Sequence, residues 1–255
     1  MLTNQEKLKY SRQIMLNKFG EQGQIALQNA KVLIVGIGGL GNPAAQYLAA
    51  SGVGTLYLAD GDNIELSNLP RQTLFCEDDI GSNKADIAEQ QLLKQYPEVT
   101  IEVIDEMLDE ELASFYISQV DVVLDCTDNI KTRYLLNTAC VTLKVPLMIG
   151  AATGFDGQCL VVDSNKPDSA CYQCLFPASE KAPEQNCQTL GILGPVLAII
   201  AGMQSLQAIK QLVGIEVATN KLLMLDGLSA SWQQFSLAKN PECTICQANT
   251  NSYKT

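Results

Sequence analysis

Four of the nine cysteines stand in two CxxC pairs, Cys171–Cys174 and Cys243–Cys246. Two such pairs supply the four thiolates that hold a tetrahedral Zn²⁺ ion, and four sulfur ligands leave no open position for water. We therefore expect a structural zinc site that ties the C-terminal region to an earlier part of the chain. The alternative is four unrelated free thiols.

The other cysteines differ in their surroundings. Cys187 lies in a polar, proline-containing segment just before "QTLGILGP", where a loop thiol near a helix start has the environment of a nucleophile. The alternative for this residue is an incidental thiol. Cys76, Cys126, Cys140 and Cys159 lie in or beside apolar stretches, so we expect them in the core.

A glycine-rich segment, "GIGGLG", follows the first apolar run and precedes an Ala- and Leu-rich segment. Its four glycines are Gly36, Gly38, Gly39 and Gly41. A strand, a glycine turn and a helix, in that order, form a phosphate-binding turn, because the glycines admit close backbone approach and the helix N-terminus offers free N–H groups. Asp60 ends the next apolar run, where a carboxylate accepts hydrogen bonds from ribose hydroxyls. The alternative is a turn needed only for packing.

Polar and basic side chains gather just beyond Asp60. They come from "GDNIELSNLPRQ" and from the start of the next helical pattern: Asp62, Ser67, Asn68, Arg71, Gln72 and Lys84. A triphosphate that loses pyrophosphate needs cations to neutralise the developing charge, whereas a hydride-carrying dinucleotide does not. For Arg71 and Lys84 the alternative is solvated surface, and these residues alone leave the choice open.

The segment "VVLDCTDNIKTR" favours the triphosphate. Asp125 and Asp128 follow a strand at the edge where open α/β sheets form their ligand crevice. Mg²⁺ prefers one or two carboxylates together with phosphates and waters, and Asp128 is the better candidate ligand. Asp125 has a second interpretation, as the capping residue of the helix that follows Thr127.

These side chains need a scaffold, and the hydrophobic pattern predicts one. Apolar runs alternate with helical patterns up to residue 150, which indicates a Rossmann-like, doubly wound parallel sheet. The expected strands are 31–36, 54–60, 99–104, 120–125 and 145–150, and the expected helices are 40–51, 83–96, 109–118 and 129–143. Later strands, "GQCLVVD", "KLLMLDG" and "SWQQFSLA", lack crossover helices and predict an antiparallel continuation. Helices are expected over 5–29, with Gly20 and Gly23 marking a break between them.

Composition excludes several classes of function. The chain has no histidine, which rules out Ser–His and Cys–His pairs within it and every His-ligated metal site. The net charge of −11 argues against nucleic-acid binding. The first residues lack the apolar core of a signal peptide, and polar residues interrupt the apolar stretch 194–214, which predicts a buried helix rather than membrane insertion. We expect a cytoplasmic protein, because unpaired cysteines are typical of reducing compartments.

Taken together, "SRQ", "GIGGLG", "LSNLPRQ", "DCTDN" and the two CxxC pairs resemble the ThiF/MoeB family over residues 5 to about 247. Members of this family are relatives of ubiquitin-activating enzymes, and they adenylylate the C-terminus of a small ubiquitin-like sulfur-carrier protein. "GFDGQ" and "NCQTLGILGP" look more like ThiF, of thiamine synthesis, than MoeB, of molybdopterin synthesis. The resemblance implies a ThiS-type carrier, with a MoaD-type carrier as the alternative, and a persulfide donor that acts later.

The resemblance also implies roles for individual residues. ATP would be held by the glycine turn, by Asp60 at the ribose, and by a polar set around the triphosphate: Asp62, Ser67, Asn68, Arg71, Gln72 and Lys84. Asp128, beside Asn129, would bind Mg²⁺, and Arg12 would reach the ATP of the neighbouring subunit of a homodimer. Cys187 would become joined covalently to the carrier through sulfur. Pro70 departs from the family pattern.

The implied reaction accounts for the missing histidine. The nucleophile is the carrier's terminal carboxylate, whose ordinary pKa of about 3.5 leaves it ionised at neutral pH, so no base is needed. We expect one domain over 1–255, with a nucleotide-binding half to about 150, a carrier-binding and zinc half to about 247, and a flexible tail over 248–255. The rival interpretations are an NAD-dependent dehydrogenase and a non-catalytic binding module.

Overall fold

The computed structural model describes residues 1–178 and 191–247 and contains an eight-stranded sheet. In chain order the strands are β1 Lys31–Val35, β2 Thr55–Ala59, β3 Thr100–Ile104, β4 Val122–Asp125, β5 Leu147–Thr153, β6 Asp156–Val162, β7 Lys221–Asp226 and β8 Ser231–Ser236. The helices are α1 Asn4–Lys9, α2 Ser11–Ile14, α3 Gly20–Asn29, α4 Gly41–Ala50, α5 Lys84–Gln95, α6 Glu110–Ile117, α7 Ile130–Leu143, α8 Tyr172–Leu175 and α9 Gly194–Leu212.

The sheet has a parallel half and an antiparallel half. Its order is β3-β2-β1-β4-β5-β6-β7-β8, with parallel pairs from β3 to β5 and antiparallel pairs from β5 to β8. The direction changes at β5 because only Gly154 and Phe155 separate it from β6, and so short a link joins antiparallel neighbours alone. Gly154 has a φ of +58°, which glycine adopts without strain. The predicted fold class is confirmed.

Helices cover both faces of the central strands. Val32 and Ile34 of β1 belong to one apolar cluster, with α4, α5 and α9. Leu33 and Val35 belong to a second cluster, with α6, α7 and the segment around Tyr172. Successive strand residues point to opposite faces, and both faces here are buried. The strand is therefore an unbroken apolar run, as the sequence indicated.

The long apolar stretch forms α9, a helix packed on the sheet with Ile200 and Gln204 fully buried. Within residues 1–178 and 191–247, none of the helices combines the length and apolar character that crossing a membrane requires. The N-terminal helices are α1, α2 and α3, and the expected break precedes α3, whose first residue Gly20 has a φ of +61°. The prediction is wrong for Gly23, which is buried inside α3.

The core prediction for the unpaired cysteines is confirmed at three positions and wrong at one. Cys126, Cys140 and Cys159 are buried, and burial raises the pKa of each thiol. Cys76 is exposed, because it precedes a short 3₁₀ turn instead of entering an apolar element. Its N–H and thiol both donate to Asp79 Oδ2, at 2.8 and 3.2 Å.

Candidate functional site

The glycine turn connects the end of β1 to the start of α4, at the carboxyl edge of the parallel strands. Gly36 has a φ of +87°, and a Cβ there would lie 2.9 Å from the carbonyl oxygen of Cys126. A Cβ at Gly41 would overlap the carbonyl oxygen of Gly36, so both positions require glycine. Gly38 and Gly39 lie between them and stay partly exposed. The turn thus packs against the loop after β4 and leaves its middle open.

Asp60 joins the turn to the end of β2. Its Oδ2 accepts the N–H of Ile37 at 2.7 Å, and its Oδ1 accepts the N–H of Asp62 at 2.9 Å. The side chain is buried, and burial raises the pKa of Asp60 above its ordinary value against the opposing charge of Lys84. A carboxylate has lone pairs beyond these two bonds, so Asp60 can still accept from a hydroxyl group.

Lys84 is buried, so its interpretation as solvated surface is wrong. Its Nζ lies 2.8 Å from Asp62 Oδ2, and Asp62 is itself half exposed. Asn83 caps α5 by accepting the N–H groups of Ala85 and Asp86, which fixes the helix start that carries Lys84. A buried cation needs a counter-charge, and Asp62 supplies it here.

The segment after Asp62 makes a 3₁₀ turn at Leu66–Asn68. Asn68 is buried, and its Oδ1 accepts the N–H of Glu65 at 3.1 Å. Arg71 is partly buried and donates from NH1 to the carbonyl oxygen of Ser67 at 2.7 Å, while Ser67 is exposed. Arg71 forms no ion pair within the described residues, so its charge is available to an anion.

Gln72 and Asn42 connect this segment to the glycine turn. Gln72 is buried, its Oε1 has no hydrogen-bond partner in the described part of the chain, and its Nε2 lies 3.6 Å from the Cβ position of Gly38. An unpaired buried amide beside the turn fits a ligand that supplies the missing bond. Asn42 is fully buried, donates to the carbonyl oxygen of Ile37 and accepts from the N–H of Leu74. Asn42 was not among the predicted site residues, although an Asn near the start of an apolar helix was a visible signal.

Asp125 is fully buried at the end of β4. Its Oδ1 accepts the N–H and hydroxyl of Thr127, and its Oδ2 lies 3.0 Å from Nε of Arg133. Its interpretation as a helix cap is wrong, because this carboxylate is occupied by Arg133. That ion pair also leaves Asp128 as the acidic group of this loop that faces outward.

Asp128 is exposed, and it forms no ion pair among residues 1–178 and 191–247. Its neighbour Asn129 is the actual cap of α7, with Oδ1 2.8 Å from the N–H of Thr132. A free carboxylate at the edge of the glycine turn fits the oxygen ligands that Mg²⁺ prefers.

Arg12 lies away from these groups. It is exposed on α2, and Gln13 beside it donates to the carbonyl oxygen of Ser51, as does the buried Gln24. Ser51 follows the far end of α4, whose ten residues span about 15 Å from the glycine turn. The structure therefore brings the other described nucleotide-site candidates to one edge and leaves Arg12 outside it.

The four paired cysteines converge, with their ligand atoms all within 4.8 Å of one another. The sulfur atoms of Cys171 and Cys243 are 3.6 Å apart, and those of Cys174 and Cys246 are 3.4 Å apart. A tetrahedral zinc with bonds of about 2.3 Å requires sulfur separations of about 3.8 Å, so the cluster fits this ion. Burial raises the pKa of Cys171 to about 11. For Cys243, burial is outweighed by the N–H groups of Cys246 and Ile245, which lower its pKa to about 7.

Cys187 lies outside the described residues. After this segment the described residues begin again at 191, and the start of α9 lies at the site. A Cβ at Gly194 would lie 3.0 Å from the carbonyl oxygen of Pro70, and Leu197 Cδ1 lies 2.5 Å from the Cβ position of Gly39. The first turn of α9 thus borders the glycine turn.

Comparisons with known proteins agree with this geometry. The sequence model described as the ThiF family matches residues 10–245. The sulfur carrier protein ThiS adenylyltransferase of Escherichia coli (strain K12) is 42% identical over 96% of this chain and 97% of its own length. The adenylyltransferase and sulfurtransferase MOCS3 of Drosophila sechellia is 47% identical, and the chain spans 55% of its length. The crystal structure of E. coli MccB with ATP matches with a TM-score of 0.81 and 25% identity, over 96% of this chain and 75% of that one.

Proposed function

This chain belongs to the ThiF family, and from that premise we propose that it adenylylates the C-terminal glycine carboxylate of a ubiquitin-like sulfur-carrier protein with ATP. The observation that carries the proposal is the meeting of five features at one sheet edge. These are the glycine turn, the carboxylate of Asp60, the cations Arg71 and Lys84, and the free carboxylate of Asp128. The relatives named as adenylyltransferases support it.

The charges at this edge suit attack by a carboxylate on a phosphate. The carrier's terminal carboxylate has an ordinary pKa of about 3.5, so it is ionised and needs no base. Its approach to the α-phosphate is opposed by like charge, and Arg71 and Lys84 would offset that repulsion and the charge that develops on the leaving pyrophosphate. Lys84 would exchange Asp62 for a phosphate oxygen. The products are a carrier acyl-adenylate and pyrophosphate, and a persulfide or thiol would attack the adenylate later.

Two metal ions belong to the proposal. Asp128 would hold Mg²⁺, which would supply positive charge against the negative charge of the phosphates. The four paired cysteines would hold a structural Zn²⁺, since a closed sulfur site has no position for a reactant. Asp60, Gln72 and the glycine turn would orient the nucleotide.

Arg12 enters the proposal through a second copy of the chain. It is exposed, and its neighbour Gln13 contacts Ser51 at the far end of α4, a helix about 15 Å long that begins at the glycine turn. We propose a homodimer in which Arg12 of each subunit contacts the triphosphate of the other. Residues to about 150 would then bind ATP, and residues from about 151 to 247 would bind the carrier, with Cys187 as the group that joins it covalently.

We propose a ThiS-type carrier, used in thiamine synthesis. The relative that matches this chain over almost its full length is named for ThiS. The second candidate is a MoaD-type carrier of molybdopterin synthesis, the alternative that the sequence resemblance leaves open. The relative with 47% identity is named as an adenylyltransferase and sulfurtransferase, and its name specifies no carrier.

ATP–pyrophosphate exchange with Mg²⁺ tests the proposal, with ThiS-type and MoaD-type carriers assayed in parallel. We expect exchange with the ThiS-type carrier, and loss of exchange when Asp128→Asn removes the free carboxylate. Asp105→Asn, at an exposed acidic residue after β3, is the matched control and should retain full exchange. Exchange with the MoaD-type carrier alone would select the second candidate. Absence of exchange with both carriers, or binding of NAD in place of ATP, would refute the reaction.

A further inference from the structure

Arg133 is a buried cation in the first turns of α7, and three oxygen atoms surround its guanidinium group. Nε lies 3.0 Å from Asp125 Oδ2, and one terminal nitrogen donates to the carbonyl oxygens of Thr127 at 2.8 Å and Gly150 at 3.0 Å. These partners lie at the end of β4, in the loop after it, and in β5. Arg133 therefore ties the end of β4 and the middle of β5 to α7.

The bond to Thr127 fixes the backbone directly before Asp128. Asp125 holds the same loop from the other side, because its Oδ1 accepts both the N–H and the hydroxyl of Thr127. Asn129 holds the far end as the cap of α7. The backbone around Asp128 is thus bonded on each side, while its carboxylate stays free.

An aromatic residue that lies between two of the paired cysteines covers the remaining face of the guanidinium. Tyr172 lies between Cys171 and Cys174, and its ring centroid is 5.7 Å from Cζ of Arg133. The ring is buried, and the N–H of Tyr172 donates to Asn137 on the next turn of α7, at 2.8 Å. A desolvated cation over an aromatic face is attracted to it. The cluster and the loop of Asp128 therefore share Arg133 as their common contact.

We propose that Arg133 is a positioning residue through which the cysteine cluster, by way of Tyr172, sets the position of Asp128. The coupling of Tyr172 to the loop of Asp128 is argued from the contacts above, whereas its consequence for Mg²⁺ rests on the proposed function. Loss of the Tyr172 ring, or of the planar fork of Arg133, loosens Thr127 and with it Asp128. The requirement for Mg²⁺ then rises while the affinity for metal-free nucleotide stays the same.

Three variants and one control test this coupling. Tyr172→Leu removes the ring, Tyr172→Phe keeps it, and Arg133→Lys keeps the charge but loses the fork, so that Asp125 retains a cation. Phe176→Leu is the control, because Phe176 packs on Tyr172 with ring centroids 4.9 Å apart, whereas in the described part of the chain the aromatic ring that Arg133 contacts is that of Tyr172. Amide hydrogen exchange at Thr127 is the first readout, since this N–H is bonded to Asp125. The Mg²⁺ concentration for half-maximal pyrophosphate exchange, and nucleotide affinity in EDTA, are the second and third.

We expect amide hydrogen exchange at Thr127 to be about tenfold faster in Tyr172→Leu and in Arg133→Lys, and unchanged in Phe176→Leu. Tyr172→Phe keeps the ring but loses the hydroxyl that interacts with Arg133, so its exchange rate should lie between those of Tyr172→Leu and the wild type. The half-maximal Mg²⁺ concentration should rise in Tyr172→Leu and in Arg133→Lys. Unchanged amide hydrogen exchange at Thr127 in both Tyr172→Leu and Arg133→Lys overturns the inference. Faster amide hydrogen exchange with an unaltered Mg²⁺ requirement for pyrophosphate exchange overturns it as well. If the wild-type chain catalyses no ATP–pyrophosphate exchange with either carrier, the proposed function fails. Faster amide hydrogen exchange at Thr127 in the two variants would still support the coupling through Arg133.

Discussion

Gln204 offers a direct test of what stabilises the carboxyl edge of the parallel strands. It is fully buried on α9, and its Nε2 donates to the carbonyl oxygens of Asp125 at 2.8 Å and Met148 at 3.0 Å. A side chain at position 150 would overlap Gln204, so Gly150 leaves the room that the amide occupies. Gln204→Leu keeps the volume and removes both donors.

The expected loss of stability follows from those two bonds. Both carbonyls also accept an N–H in the parallel β4–β5 ladder, so Gln204→Leu removes a second hydrogen bond from each carbonyl. At about 1 kcal/mol per bond the loss is about 2 kcal/mol. Leucine buries roughly one more CH₂ group than glutamine, which offsets about 0.8 kcal/mol. The free energy of unfolding should therefore fall by about 1 kcal/mol.

Urea denaturation measures this change, with Gln207→Leu as the matched control. Gln207 lies on the same helix, is partly exposed, and its Nε2 contacts the sulfur of Met203 at 3.4 Å. The control should change the free energy of unfolding by less than about 0.5 kcal/mol. If Gln204→Leu behaves like the control, the two carbonyl bonds do not stabilise the edge and the reasoning is wrong.

Four further predictions concern the turn, the metal and the dimer. Gly41→Ala should weaken ATP binding by at least about tenfold in calorimetry, because the added methyl group overlaps a carbonyl oxygen of the turn. Cys171→Ser should reduce bound zinc, measured by elemental analysis. Zinc affinity of the wild type, measured against a chromophoric chelator, should fall as pH falls, because the raised pKa of the Cys171 thiol lets protons compete. Mixed Arg12→Ala and Asp128→Ala subunits should recover pyrophosphate exchange that neither variant has alone.

Each of these predictions has a control and a result that contradicts it. Gly202→Ala adds a methyl group that meets nothing within 4 Å, so it should leave ATP affinity unaltered. Cys76→Ser removes an exposed thiol and should retain zinc. Equal ATP affinity in Gly41→Ala and Gly202→Ala would contradict the role of the glycine turn in ATP binding. Full zinc content in Cys171→Ser would contradict zinc binding by the four sulfur atoms. If mixed Arg12→Ala and Asp128→Ala subunits exchange partners but recover no activity, Arg12 does not act in the site of the neighbouring subunit.

Local patterns in the sequence were enough for the fold and for much of the site. The apolar runs predicted the parallel strands because both faces of β1 are buried, and the CxxC pairs predicted the cysteine cluster because a thiolate site needs four close sulfurs. The burial of Lys84 was not predictable, since a lysine at a helix start has the same local pattern whether or not it is covered. Cys76 was placed wrongly because an adjacent apolar residue does not show where the next turn begins.

The residues that the sequence did not single out act over long distances along the chain. Gln204 bonds to the carbonyl of Asp125, 79 positions earlier, and Asn42 accepts from Leu74, 32 positions later. Arg133 was visible only as a basic residue in a helical pattern, although it closes the edge between two strands. Such contacts depend on the packing of α4, α7 and α9 on the sheet, which periodicity alone does not describe.

The position of the cysteine cluster along the chain bears on the order in which the protein matures. Its two halves lie 72 positions apart at Cys171 and Cys243, and β7 and β8 lie between them. A growing chain therefore cannot complete the set of four sulfur ligands until both strands have been synthesised. Stable capture of the proposed metal ion would come after the antiparallel half of the sheet has been made, and metal content in newly made chains would report how many have reached that stage.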